Sequence, residues 1–140
     1  MKDSSSTTPI ILLLDSDSVT RAVLRDTLES AGYLVAAATD LGTAVDRLEE
    51  IEADLLVVRP YINSMPGRLA ADYLRSNRPG LPVLIVAGFM DEDRIHDLYE
   101  VAKFHTFPQP FRRDQLLAKV REVLHIARRP PGPELGFRSA

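Results

Sequence analysis

Four residues of this 140-residue chain bring charge and hydroxyl chemistry to the ends of two short apolar runs. Ile10 to Leu14 ends in Asp15-Ser16-Asp17, and Leu55-Leu56-Val57-Val58 ends in Arg59, followed by Pro60. Carboxylates at such a place can ligate a hard cation. A guanidinium is always protonated and has no nucleophilic lone pair, so Arg59 can pair with anions and do little else. Each apolar run reads as a buried strand whose carboxyl end opens into a loop. In an open parallel α/β sheet the ligand crevice lies outside the carboxyl ends of the strands, so these two ends are where chemistry belongs.

The elements that must position them alternate along the chain. After Ser18, the spacing of Val19, Val23, Leu24, Thr27, Leu28 and Ala31 predicts a helix stopped by Gly32. Leu34 to Ala38 forms a small strand, and Asp40 caps a helix with Ala44, Val45, Leu48 and Ile51 on one face. The third strand is Leu55 to Val58. Two prolines, Asn63, Ser64 and a glycine make 60–67 a loop, before a helix from about Arg68 to Ser76 that Pro79-Gly80 ends. Pro82 to Ala87 is the fourth strand. Asp91-Glu92-Asp93 suits the amino end of a helix whose stripe is Ile95, Leu98, Tyr99 and Ala102. A short strand over Phe104 to Phe107 precedes a closing helix, Arg113 to about Arg128, with Leu116, Leu117, Val120, Val123, Leu124 and Ala127. Five strand–helix alternations imply right-handed crossovers and a parallel sheet covered on both faces.

Composition narrows the function. With 45% hydrophobic residues the chain can bury roughly two thirds of its unfolded surface in one domain. A formal charge of -3 and a pI near 5.6 give no general grip on nucleic acid or anionic membrane. The absence of cysteine excludes disulfides and thiolate chemistry. Residues 1–8 are polar and expected to be disordered, the apolar run from Ile10 is too short for a signal peptide or a span, and a soluble cytoplasmic protein is expected. Residues 9–128 form the expected domain. The Pro-rich stretch 129–140 reads as a tail or linker stub.

The residues at the joints resemble the receiver domain of two-component response regulators, over about Pro9 to Arg128. The likeness rests on Leu13-Leu14-Asp15-Ser16-Asp17 followed by a helix to Ala31-Gly32-Tyr33. Ala53-Asp54-Leu55-Leu56-Val57-Val58 before the loop ending at Gly67, Leu81-Pro82-Val83, and Pro110-Phe111 before the last helix complete it. The resemblance implies a flavodoxin-like (βα)5 three-layer sandwich with strand order 2-1-3-4-5. It also implies a phosphorelay signalling module, not an enzyme, whose partners are proteins.

In that family an aspartate ends the third strand and accepts a phosphoryl group, and two acids after the first strand hold magnesium. A serine or threonine ends the fourth strand, an aromatic residue stands in the fifth, and a lysine precedes Pro-Phe. Here the matching positions hold Arg59, Asp15-Ser16, Ala87, Thr106 and Gln109, with a non-matching Asp17 beside the pair. Arg59 cannot become an acyl phosphate, and its charge with the loss of an acid at Ser16 opposes a cation. Without the ion and the lysine, charge on a transferring phosphoryl group lacks its main counter-charges. The resemblance thus implies a pseudo-receiver with no cofactor.

Arg59 is expected either as a fork on Asp15 or Asp17 that stands in for the metal, or turned to solvent. The leading functional reading is phosphorylation-independent contact with a protein partner: a second copy as a homodimer, a histidine kinase or an output protein. The expected face carries Arg94, Asp97, Arg113 and Arg121. The alternative is a small-ligand sensor using the crevice between the first and third strand ends, with Arg59 and Gln109 on an anion. Autophosphorylation on Asp17 is a third reading. Asp93, His96 and Asp97 have helical spacing a metal could use, though an acidic first helical turn explains them as well. His105 and His125 stand alone, and the resemblance implies a cis bond at Gln109-Pro110.

Overall fold

A computed structural model describes residues 8–87, 105–108 and 112–128. Five strands, β1 (Ile10–Leu14), β2 (Leu34–Ala38), β3 (Leu55–Val58), β6 (Val83–Ala87) and β7 (His105–Pro108), form one parallel sheet in the order β2-β1-β3-β6-β7. This is the expected 2-1-3-4-5 arrangement. A two-stranded antiparallel ribbon, β4 (Tyr61–Ile62) with β5 (Met65–Pro66), lies between β3 and the next helix. Four helices are described: α1 (Ser18–Ser30), α2 (Leu41–Glu50), α3 (Gly67–Asn77) and α4 (Arg113–Arg128).

The central strands are buried on both faces because successive side chains enter two different cores. Leu12, Leu14, Leu56, Val58, Val83 and Ile85 pack with Ala44, Leu48, Ala70, Ala71 and Leu74 of α2 and α3. Ile11, Leu13, Leu55, Val57, Leu84 and Val86 pack with Leu24, Leu28, Leu116, Val120 and Val123 of α1 and α4. A strand buried on one face would alternate with polar residues; these are apolar throughout. At the opposite edge from the site, the Asp54 carboxylate accepts the Ile10 N–H at 2.8 Å and aligns the starts of β1 and β3.

Several boundaries differ from expectation for local reasons. The helix α1 starts at Ser18 itself, capped by Asp17, whose carboxylate accepts the Thr20 N–H at 2.8 Å. The far end closes as expected at Gly32, whose φ of 97° lets its N–H reach Glu29 O while the Tyr33 N–H reaches Leu28 O. Val19 and Val23, placed in the α1 stripe by periodicity, are 71% and 50% exposed; Leu24, Thr27 and Leu28 make the buried face. The segment 60–67 is not a plain loop. Asn63, at φ 58°, turns the chain so that Tyr61–Ile62 pairs with Met65–Pro66, and α3 starts one residue early at Gly67. The fourth sheet strand starts at Val83, and the fifth is His105–Pro108, one residue beyond its expected place. The helix expected after Asp91-Glu92-Asp93, the 1–8 terminus up to residue 7, the Gln109-Pro110 bond and the tail lie outside the described residues.

Candidate functional site

Sheet register brings Asp15 and Arg59 together. Leu14 pairs with Val58 and Val58 with Ile85, so Asp15, Arg59 and Val86 occupy the next rung across three neighbouring strands. The ladder continues into that rung, with Asp15 N–H on Ala38 O at 3.0 Å and Arg59 N–H on Leu14 O at 3.3 Å.

The Arg59 side chain turns inward, only 18% exposed, and does not snorkel into solvent. Its Nη1 donates to the Val86 carbonyl at 2.6 Å, and its Nε stands 4.0 Å from Asp15 Oδ2. The guanidinium therefore bridges the ends of three strands. Of the two expected carboxylate partners it takes Asp15, while the Asp17 carboxylate is occupied in capping α1.

Asp15 is 1% exposed. Its Oδ1 accepts the Asp17 N–H at 2.9 Å, and its carbonyl accepts from Arg21 Nη1 at 3.0 Å. Among the described residues its Oδ2 has no hydrogen-bond partner, and it faces the Arg59 charge across the 4.0 Å gap. Burial raises the Asp15 pKa above its ordinary value, against the lowering effect of the Asp17 N–H and the Arg59 and Arg21 charges. The Asp17 pKa is lowered instead, by the Thr20 N–H first and the Thr20 hydroxyl second. Two carboxylates two residues apart are thus driven in opposite directions by their surroundings.

Ser16 has a structural use. Its hydroxyl accepts the Asn63 N–H at 3.0 Å and ties the end of β1 to the β4–β5 ribbon. That ribbon folds back so closely that Gly67 N–H reaches Pro60 O at 2.6 Å, and a Cβ on Gly67 would run into the Arg59 carbonyl. Arg21, the Val86 carbonyl, Asn63 and Gly67 were missed as site residues. Only Arg21 left a signal in the sequence, as a cation in the first turn of the helix that follows Asp15.

Among the other candidates, Ala87 ends β6 and Thr106 lies within β7, as the matched positions require, while Gln109 is outside the described residues. So are Arg94 and Asp97 of the expected contact face and the Asp93, His96, Asp97 set. Arg113 reaches across to α1, donating to Ser30 Oγ at 2.7 Å, Thr27 Oγ1 at 3.3 Å and Asp26 Oδ2 at 3.4 Å. Arg121 and His125 are exposed on α4, and His105 lies in β7. Among the described residues, no group of three or more His, Asp or Glu side chains could hold a metal, and no helix is long and apolar enough to cross a membrane.

Relatives place this geometry in a family. Over 124 residues the chain is 31% identical to the sensor kinase CckA of Brucella abortus (strain 2308), covering 87% of this chain and 13% of that protein. It is 30% identical over 125 residues to the response regulator MprA of Mycobacterium sp. (strain KMS), covering 89% of this chain and 54% of that protein. The chain thus spans about half the length of MprA and a small part of CckA. Among solved structures, a CheY-like receiver domain protein from Methanospirillum hungatei JF-1 superposes with a TM-score of 0.75 at 21% identity, over 86% of this chain and 97% of that one. NtrX from Brucella abortus in complex with ATP gives a TM-score of 0.79 at 18% identity, over 86% of this chain and 28% of that one. At these identities the superpositions establish the fold alone. The family model described as the response regulator receiver domain matches residues 11–121, a span that contains the first core, most of the second and the strand ends bearing Asp15 and Arg59. The chain belongs to the response regulator receiver domain family.

Proposed function

We propose that this receiver domain signals through protein contacts without being phosphorylated, its strand-end site held in one state by Arg59. The observation that carries this reading is the inward guanidinium, on the Val86 carbonyl at 2.6 Å and 4.0 Å from the buried Asp15 carboxylate. A positive charge fixed there takes the place of a divalent ion beside Asp15. It also fills the position where the resembled family carries its acceptor carboxylate.

The residues present do not fit magnesium. A hard cation needs several oxygen ligands, preferably anionic, in open geometry. Of the Asp15 oxygens, Oδ1 is taken by a backbone N–H and Oδ2 faces a guanidinium; Ser16 is neutral and holds Asn63. Burial also favours the protonated form of Asp15, a poor ligand.

Incubating the protein with acetyl phosphate or phosphoramidate and magnesium tests the reading. Intact mass should stay that of the unmodified chain, and millimolar magnesium should leave the melting temperature unchanged, since only a bound ligand stabilises. A stoichiometric hydroxylamine-labile phosphoryl adduct would overturn it. A mapped adduct on Asp17 would instead establish the displaced-acceptor reading. With the switch gone, the partner surface must be available at all times, and partner binding should be indifferent to phosphodonor.

A further inference from the structure

We propose that α3 is a self-association surface, on which two copies of this chain pair antiparallel about a two-fold axis. The helix buries Gly67, Ala70, Ala71 and Leu74 against the sheet. At 100° per residue Leu69 and Tyr73 lie about 150° and 110° from the middle of that set, on one side of the outward face. They are 47% and 52% exposed, and Met65, just before the helix, is 37% exposed. Leu69 and Tyr73, one helical turn apart, together with Met65 on the preceding strand β5, expose apolar surface where an ordinary solvated helix carries charge. Tyr and Met are among the residues enriched at protein interfaces. The two exposed valines of α1 are smaller and of a type under-represented among residues that dominate binding energy.

Charge placement identifies a second copy as the occupant. Arg68 and Asp72, both half-buried, lie on the same flank of the stripe, four residues apart with opposite signs. In an antiparallel two-fold pair, like flanks of the two helices adjoin and run in opposite directions. Arg68 of each copy then meets Asp72 of the other, and one pairing forms twice, as an isologous interface requires. A carboxylate accepts several hydrogen bonds, so Asp72 can take this one in addition to others. A parallel two-fold would bring opposite flanks together and set Arg68 and Asp72 of each copy against the apolar flank of the other. The antiparallel arrangement also carries the amino end of each α3, with Met65, to the carboxyl end of the other. There a cavity of 140 Å³ opens between α2 and α3, lined by Val45, Leu48, Glu49, Asn77 and Arg78. A flexible thioether side chain suits such an irregular gap.

One helix pair buries less than the ~1,200–2,000 Å² of a standard interface, so the dimer is weak, with a Kd of ~10–100 µM. Sedimentation velocity of the full chain over a concentration series should show monomer–dimer exchange. Leu69→Ser with Tyr73→Ser should raise the Kd at least ~10-fold while circular dichroism and melting stay those of the parent, the positions being on the outer face. Arg68→Glu alone and Asp72→Lys alone should each weaken association by ~3–10-fold, and the two together should restore it to within ~3-fold of the parent. A parent that stays monomeric to ~500 µM, or an unchanged Kd in the serine variant, overturns the proposal. Failure of the double reversal to restore pairing overturns the antiparallel two-fold. The outcome is independent of the proposed loss of phosphorylation, which the mass measurement alone reads.

Discussion

Removing the Arg59 side chain would leave Asp15 buried beside a vacated site and the Val86 carbonyl without its 2.6 Å donor. Arg59→Ala should therefore cost about 1–3 kcal/mol in denaturant melts, the range for hydrogen bonds involving charged groups. Asp15 limits the loss, because a carboxyl already biased toward protonation can neutralise itself. The same bias has a pH signature of definite sign. With its folded pKa above the unfolded value, Asp15 contributes stability that is full below the unfolded pKa and lost as pH rises through the folded one. The stability of the parent minus that of Asp15→Asn should then fall with rising pH from about 4 toward neutrality. Asp17, with a folded pKa below the unfolded value, gives the opposite slope: the parent minus Asp17→Asn should be largest above the unfolded pKa and shrink as acid protonates the cap. Urea melts of the three proteins from about pH 2 to neutrality check both slopes, and parallel profiles would contradict them.

Among the elements, the β4–β5 ribbon is the one the site depends on most. It is anchored by the Asn63 N–H on Ser16 and by the close approach of Gly67 to the Arg59 carbonyl. Gly67→Ala places a methyl group against backbone that cannot rotate away, so a shift of the ribbon or of β3 must follow. The expected cost is about 1–3 kcal/mol, as for other overpacked sites, with crosspeak changes spreading to Asp15 and Arg59 in NMR spectra. The link between α1 and α4 through Arg113 is of another kind. Its side chain is 54% exposed and its Asp26 partner 77% exposed, so solvent screens the pair. Arg113→Ala should lower stability by less than about 1 kcal/mol in the same melts.

For the molecule as a whole, the two opposite faces of the sheet carry different surfaces. The α4 face presents mixed charge, including Arg121, Glu122 and the 3.4 Å pair of Lys119 with Glu122. The α3 face presents an outward apolar stripe. If the strand-end site is held in one state as proposed, the domain has no transition to couple such faces, since a ligand shifts an equilibrium only by its differential affinity for two states. Acetyl phosphate should accordingly leave both the sedimentation profile and the amide exchange of the protein unchanged, where a switching receiver would alter both.

The alternation of five apolar runs with amphipathic segments determined a parallel sheet covered on both faces, because periodicity records which faces must be buried; the strand order followed only from the resemblance carried by the residues at the joints. The identity of residue 59 likewise determined what the strand end cannot do, since no fold makes a guanidinium a nucleophile. Tertiary structure decided the rest. Whether Arg59 turned inward depended on the β1–β3–β6 register, which sets Asp15, Arg59 and Val86 side by side and is not written in any one segment. Periodicity placed Val19 and Val23 in the buried stripe of α1, but only the way the helix settles on the sheet decides which of its apolar residues face solvent. The ribbon at 61–66 was hidden because Pro60, Asn63, Ser64 and Pro66 are turn formers alike in a loop and in a tight hairpin. What selected the hairpin was the close approach of Gly67 to the Arg59 carbonyl and the hydroxyl of Ser16, a partner far from it in sequence.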